Sequence, residues 1–445
     1  MRKLLFLLPL VAGASWAGTT YYSGVQTQPA YDKLLSQLNQ MKPFTVVSEE
    51  YNAGFIQSTA ITRVTASPAP DAEVLFRLKH VIDHSPVGVD AAGTRVGANS
   101  VVTTLMIEDM PAELAAGFNG EEPLVLHTRV NMSGDTVNEL DIAMFSMSEE
   151  GKSVDFGGGN YHFTSSPDGR VFGEGVLQAM SVTDDTGMEI KVDASPTMVD
   201  LQRVAQSIYS GSYSITFPSV AVKAPATGME FDVKDVELSS TSKIDQGLYT
   251  GDVALAVGSL NSPLPVNSAN WTFSMHDFSL DGLQKFNDTV ESLSMMDPDM
   301  TAMEEQDAVA AVIDAYKSLI TPGIGLKNEV KVTNDGGDIE LLAALSFKGD
   351  GSASGTDNLV TVRDLLLALT ANVKLDADAE AVNQTPLAMM MMHPMASQYV
   401  IDDGVTYSSD IKVADLIIDA NGDPQSLEMM LGGMLEMPLD FLGSM

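Results

Sequence analysis

The sequence predicts a mainly β protein of the β-rich α+β class: long, curved antiparallel sheets with a few amphipathic helices, behind a single N-terminal membrane anchor or signal segment. Three observations carry this reading. Hydrophobic residues alternate with period two over most of residues 43–280, the spacing of strands with one buried and one wet face. One pattern, apolar-x-apolar-x-Asp-apolar-x-apolar, recurs and slips the hydrophobic phase by one residue at each Asp. The one apolar run long enough to cross a membrane stands at the N-terminus, behind two basic residues.

Composition sets the outer bounds. The chain has 445 residues, which at roughly 150 per domain allows two or three domains or one long β-rich body. Apolar residues make up 44%, enough for a substantial core. Lys and Arg number 24 against 60 Asp and Glu, a formal net charge of −36. Such a surface repels phosphate backbones, which excludes nucleic acid as a partner, and it disfavours docking of the body onto anionic lipid. With no cysteine, disulfides, thiolate metal sites and Cys nucleophiles are excluded.

Residues 1–24 are read as a signal peptide or membrane anchor. Arg2-Lys3 precedes the apolar run from Leu4 to Gly18, and the next charge is Asp32. Ser15-Trp16-Ala17 offers a small-x-small cleavage site. Uncleaved, Leu4 to Tyr22 approaches the ~20 residues of a spanning helix, with Trp16, Tyr21 and Tyr22 at the outer interface and Arg2 and Lys3 inside. Trp16 just before the cut is unusual for a cleaved signal, so the anchor is preferred; either way the body is exported. Residues 25–42 form a helical lead-in, Leu34, Leu35, Leu38 and Met41 sharing a face.

Residues 43–280 form an antiparallel β-rich region. Val74, Phe76, Leu78, His80, Ile82 and His84 share one face of a strand, as do Leu140, Ile142 and Met144. Ser133-Gly134-Asp135, Ser166-Pro167-Asp168-Gly169 and Asp185-Thr186-Gly187 mark turns. Gly157-Gly158-Gly159 reads as a turn rather than a phosphate cradle. The Asp pattern is centred on Asp235, Asp277 and Asp415, with Ser219 as a variant. A further copy is centred on Asp364, whose Leu-rich tail is compatible with a helix opening there instead. A β-bulge at each Asp absorbs the slip and bends the strand; the alternative is a strand that switches partner face.

Residues 281–323 are helical, with Leu283, Phe286, Val290, Leu293 and Met296 at helical spacing. A capping box at Thr301-Ala302-Met303-Glu304 opens a second helix presenting Val309, Val312, Tyr316 and Leu319, stopped by Pro322-Gly323. Residues 324–445 form a C-terminal β-rich region containing a Met-rich helix, Pro386 to Tyr399.

With these landmarks placed, the chain resembles the YdgA-like family of bacterial envelope proteins, a domain of unknown function. The resemblance rests on Trp16 through Gly24, on Tyr51-x-x-Gly54-x-x-x-Ser58, on His80-Val81-Ile82-Asp83-His84-Ser85-Pro86, and on the stretch from Tyr407 to Asn421-Gly422-Asp423-Pro424. Ser85 stands where the family has Gly. The resemblance implies a periplasmic protein of Gram-negative bacteria anchored in the inner membrane, and it supplies no catalytic residue.

Chemistry by sequence is sparse. His80 and His84 lie on the same strand face but roughly 13 Å apart at ~3.3 Å per residue, too far for one metal ion. A structural role for His80, His84 and Pro86 is expected. Met389-Met390-Met391-Met392-His393-Pro394-Met395 has copper(I)-type donors, but groove filling explains it more simply. Asp419-Ala420-Asn421-Gly422-Asp423 starts like a calcium loop but has Pro424 and Met430 where that loop needs Gly and Glu. No cofactor is expected.

The functional expectation is a non-enzymatic, membrane-anchored periplasmic protein binding a lipid-like or protein partner on an apolar sheet face lined by Phe231, Val233, Phe273 and Met275. The alternatives are a structural scaffold or homodimer joined through an edge strand, and an envelope hydrolase without a recognisable motif, in which carboxylates converge on a histidine.

Overall fold

The computed structural model describes residues 31, 32, 35, 36, 39, 45–54, 57–65, 74–84, 87–90, 93–96, 99–110, 112–131, 133–149, 151–205, 208–261, 266–294, 302–351, 356, 358–391 and 399–439. The described residues are mainly β, all strand pairs are antiparallel, and the helices are few. The chain divides into two compact units: Met1–Gln202 with Tyr213–Glu230, and Arg203–Ser212 with Phe231–Met445.

In the first unit β1 (Thr45–Asn52), β2 (Gln57–Thr65) and β3 (Val74–Asp83) form a meander. The hairpin β4 (Val87–Asp90) and β5 (Gly93–Val96) stands as its own sheet. The ladder continues through β6 (Asn99–Leu105), β7 (Leu124–Val130) and β8 (Thr136–Ile142). The alternation in β3 is realised: Phe76, Leu78, His80 and Ile82 are buried, and Val74 is half-buried. Val64, Phe76, Leu78, Leu105, Leu124, Leu126 and Leu140 make the main apolar cluster. Each such side chain contributes about 2 kcal/mol on full burial. Tyr31 and Leu35 are helical and buried as the lead-in reading requires, while Leu34, Leu38 and Met41 lie outside the described residues.

Four further strand pairs continue this unit, and each is one long strand bent at its middle. β8 runs into β9 (Phe145–Glu149), β10 (Lys152–Phe156) into β11 (Gly159–Ser165), β12 (Arg170–Leu177) into β13 (Met180–Thr183), and β14 (Glu189–Val192) into β15 (Ser195–Arg203). The expected turns at Gly134, Gly169 and Gly187 are the hairpins between neighbours, all at φ near +80 to +90°. The bends line up across the sheet. Gln178 N–H donates to Gly158 O and Gly157 N–H to Ala179 O, both at 2.9 Å, and Asp193 N–H donates to Ser219 O at 3.0 Å in β16 (Tyr209–Ala224). At this crease every strand slips phase: Leu140 and Ile142 give way to Phe145 and Met147, Val154 and Phe156 to Tyr161 and Phe163. Gly157-Gly158-Gly159 is therefore a mid-strand crease and not a turn. Gly158 needs its φ of +89°, and a Cβ there would lie 2.5 Å from Ile142 O. Met144 falls on the crease and is 61% exposed, so the β8 alternation ends at Ile142.

The second unit is a meander of β17 (Met229–Asp245), β18 (Leu248–Asn261), β19 (Ser268–Ser279), β20 (Gly325–Asn334), β21 (Gly337–Phe347), β22 (Leu369–Asp378), β24 (Thr406–Ala414), β25 (Ile417–Ala420) and β26 (Asp423–Ser426), with the short β23 (Ile401–Asp402) beside β24. Helices α1 (Leu280–Ser294) and α2 (Ala302–Leu319) form a hairpin between β19 and β20; α3 (Val362–Ala368), α4 (Ala379–Asn383), α5 (Leu387–Met391) and α6 (Leu427–Leu431) follow. Among the α2 residues whose burial is described, Ala308, Ala315 and Leu319 are buried. Tyr316 is half-exposed, its ring 5.0 Å from Phe286. Thr301 lies outside the described residues, as do residues 392–398 of the Met-rich segment.

The recurrent Asp resolves into one conformation with several uses. Asp235, Asp277 and Asp415 all have positive φ, at 53°, 60° and 51°. Asp277 is the expected bulge: β19 carries one extra residue between the pairs Tyr249–Phe278 and Gly251–Met275. At Asp235 the count against β18 is unchanged, Lys234–Ser259 and Val236–Val257 flanking it. Asp415 corrects the bulge expectation. With Leu416 at φ 60° it forms a two-residue hairpin turn of the I′ kind between Ala414 and Ile417. The Asp364 copy opens helix α3 instead, in a capping box in which Thr361 Oγ1 accepts from Asp364 N–H and the Asp364 carboxylate accepts from Thr361 N–H.

Candidate functional site

Two of the sequence landmarks meet in the first unit. Gly54 N–H donates to Ser58 Oγ at 3.2 Å, and that hydroxyl lies 2.8 Å from His84 Nε2. Further along the same strand face His80 is buried, with Nε2 2.8 Å from Thr62 Oγ1 and Nδ1 2.9 Å from Thr103 Oγ1. Tyr31 Oη extends the chain to Thr62 at 2.6 Å, and its ring lies 5.9 Å from the imidazole. A neutral imidazole has one donor and one acceptor, which two hydroxyls satisfy. Burial pushes the His80 pKa down to about 4 and pushes the Tyr31 phenol up, the latter opposed by its bond to Thr62. The two histidines thus have separate partners, and the arrangement ties the lead-in helix to the sheet. Pro86 lies outside the described residues. The Tyr31–Thr62–His80–Thr103 chain is not signalled by any spacing in the sequence.

The four residues expected to line an apolar face fall in two places in the second unit. Phe273 and Met275 sit two apart on β19, opposite Val253 and Gly251 of β18, and their rows reach β17 at Ser240 and Ser242. Phe231 and Val233 lie on β17 at least seven residues away, roughly 23 Å at ~3.3 Å per residue. All four are half-buried.

The rows through Phe273 and Met275 belong to a larger surface. Directly paired residues share a sheet face. One row runs Leu238–Leu255–Trp271–Val330–Leu341–Leu375. The next runs Val253–Phe273–Asn328–Ala343–Val373–Ile411–Ala420, and the third Met275–Leu326–Leu345–Ala371–Val413–Ile418. The opposite face carries charge: Lys331 bridges Asp338 at 2.7 Å and Glu340 at 2.6 Å, and Lys374 and Asp376 lie alongside. Leu238, Leu255, Leu341, Leu345 and Val373 remain 37–41% exposed, unusual for aliphatic residues lying side by side. The two side chains with polar groups inside the strip bond to each other: Trp271 Nε1–H donates to Asn328 Oδ1 at 2.7 Å.

Both strand ends of the strip are walled. At one end Ile339 and Ala377 pack with Ala381 and Val382 of α4 and with Leu387 and Met391 of α5. At the other Ile324, Phe347 and Ala368 pack with Phe278, Ile320 and Leu369. Met389 and Met390, from the segment with copper-type donors, project from α5 at 76% and 65% exposure. In the calcium-like stretch Asn421 is committed to the fold, its amide donating to Tyr399 O and its oxygen accepting from Asp410 N–H.

A polar depression of about 530 Å³ lies on the first unit's sheet, with Glu139, His162 and Glu174 on adjacent strands of one rung. His162 Nε2 is 3.6 Å from Glu139 Oε1, and the imidazole is 64% exposed. Among the described residues no group of three or more His, Asp or Glu is placed to hold a metal ion, and no helix is long and apolar enough to cross a membrane.

Comparison with known proteins agrees with the resemblance drawn from the landmarks. The model of a bacterial protein family of unknown function (DUF945) matches residues 1–428. Protein YdgA of Escherichia coli (strain K12) is 20% identical over 310 residues, 59% of this chain and 60% of that protein, so the match spans less than two thirds of its length. No solved structure matches. With the family model covering nearly the whole sequence, the chain belongs to the bacterial family of unknown function DUF945, of which the YdgA-like proteins are relatives.

Proposed function

We propose that this chain is a non-enzymatic protein of the periplasm, held at the inner membrane by its N-terminal segment, which carries an apolar occupant on the sheet face of its second unit. The observation that supports this most is the strip itself: three adjacent rows made mostly of aliphatic and aromatic residues, walled at both strand ends and left partly exposed between. Leaving that much apolar surface in water is costly at about 25 cal/mol per Å², so a face of this kind is kept for something that covers it.

The export half rests on Arg2-Lys3 and the apolar run behind them. Fractionation with N-terminal mass spectrometry tests it: the intact N-terminus in the inner-membrane fraction is expected, and a chain starting at Gly18 in the soluble periplasm would remove the anchor. The binding half is tested by native mass spectrometry of protein purified in mild detergent. Wild type is expected to carry lipid that Phe273→Asp loses while staying folded; equal loading would count against it.

The edge-joined homodimer finds less support. β1 bulges at Glu49, between Ser48 and Glu50, and that carboxylate pairs with Arg77 at 2.6 Å. β26 has only four residues, one of them Pro424. Both are devices that discourage strand addition. The hydrolase reading has its best place at the Glu139–His162–Glu174 rung, where a largely exposed imidazole is poorly set up to hold a proton in a fixed line.

A further inference from the structure

Resting on the reading of the apolar strip as a binding face, we infer that its occupant is a diacyl lipid without net headgroup charge, its chains lying across the strands of the second unit from β18 to β25. The direction follows from the walls. The clusters at Ile339–Ala377 and at Ile324–Phe347 close the strip along the strand axis, so a long apolar chain runs along the rows, perpendicular to the strands.

The dimensions fit. Seven strands separate β18 from β25 inclusive of both, which at ~4.8 Å per strand gives ~29 Å. A membrane hydrocarbon core of ~30 Å holds two leaflets, so one leaflet's acyl chain reaches ~15 Å. Either chain of a membrane lipid fits within the rows with length to spare, and three rows give room for two chains side by side.

Chemistry separates lipid from protein occupants. The three rows carry only two side chains with hydrogen-bonding groups, Trp271 and Asn328, and the Trp271 donor is already spent on Asn328 Oδ1, so an extended backbone or several polar side chains laid there would go largely unpaired. A second copy is disfavoured by area. Three rows at ~6.6 Å spacing, the longest of them ~29 Å, cover at most about 400 Å², half of the ~800 Å² per partner that a stable protein interface buries. The formal net charge of −36 repels an anionic headgroup, which leaves zwitterionic or uncharged ones.

The absence of cysteine allows clean site-specific labelling of the full chain. Leu255→Cys and Val373→Cys place a polarity-sensitive fluorophore at two distant points of the strip, and Lys374→Cys places it on the charged face. After detergent and endogenous lipid are removed, each is titrated with a short-chain phosphatidylcholine below its micelle concentration and with phosphatidylglycerol of the same chains. Expected is a saturable blue shift at Leu255→Cys and Val373→Cys, none at Lys374→Cys, and weaker binding of the phosphatidylglycerol. A blue shift on raising protein concentration alone would replace the lipid by a second copy. Phosphatidylglycerol binding as well or better would overturn the headgroup assignment. If lipid co-purifies with wild type but both strip labels stay silent, this placement fails while lipid carriage stands; if no lipid co-purifies either, both fall.

Discussion

Asp235 stands opposite Gly258 across the β17–β18 pair, and a Cβ at Gly258 would lie 2.8 Å from Asp235 Cβ. The left-handed residue on one strand and the side-chain-free residue on the other form one unit. Gly258→Val is expected to destabilise by about 2 kcal/mol or more through that collision. Asp235→Gly keeps the backbone conformation open and is expected to stay within about 1 kcal/mol of wild type. Asp277→Val, a β-branched residue at φ 60° in the bulge, is expected to cost roughly 1–3 kcal/mol and to promote aggregation. Chemical denaturation of the three variants checks the series; an Asp277→Val protein as stable as wild type would contradict it.

His80 makes stability depend on pH in a defined window. Its folded pKa of about 4 lies below its ordinary 6.5, so between these values the unfolded chain binds a proton that the fold does not. The neutral imidazole's contribution is complete above pH 6.5 and is lost as pH falls toward 4, about 3 kcal/mol in all. Denaturant midpoints for wild type and His80→Gln at pH 7.5 and 5 should show the larger acid loss in wild type. Equal slopes would mean that His80 is not held neutral.

The crease depends on Gly158. Gly158→Ala brings a Cβ within 2.5 Å of Ile142 O at φ +89°, and a loss of about 2 kcal/mol or more is expected. Gly187→Ala, in an open hairpin turn at φ +80° with no atom near its Cβ, carries the conformational cost alone and should lose about 1 kcal/mol. Thermal melts of the pair separate the two contributions.

Thr361→Ala removes the cap of α3 and is expected to cost about 1 kcal/mol. Amide exchange should quicken in α3 while β17 to β19 stay unchanged.

Much of this architecture is written locally. Period-two alternation placed β3 and β8, the Gly-containing clusters placed three hairpins, and the phase slip marked Asp277 as a bulge. The same slip also marked Asp415, which is a hairpin turn, because a left-handed residue serves a bulge and a type I′ turn equally well and the following residues decide. Gly158 was misread as a turn because a bend in register with bends on neighbouring strands leaves no local trace beyond the glycine. The apolar strip was half legible. Phe273 and Met275 belong to it, but Leu255, Trp271, Leu341 and Val373 join them only through pairings between strands distant in sequence. The Tyr31–Thr62–His80–Thr103 chain is non-local in the same way.

The most direct test of the apolar strip is photocrosslinking in growing cells, with a photoreactive phenylalanine analogue at Leu341 on the strip or at Glu340 on the charged face. Irradiation followed by mass spectrometry of the purified protein is expected to find acyl-lipid adducts from position 341 and none from position 340. Equal lipid labelling at both positions, or adducts from position 341 that consist of protein alone, would contradict the assignment of this face to lipid.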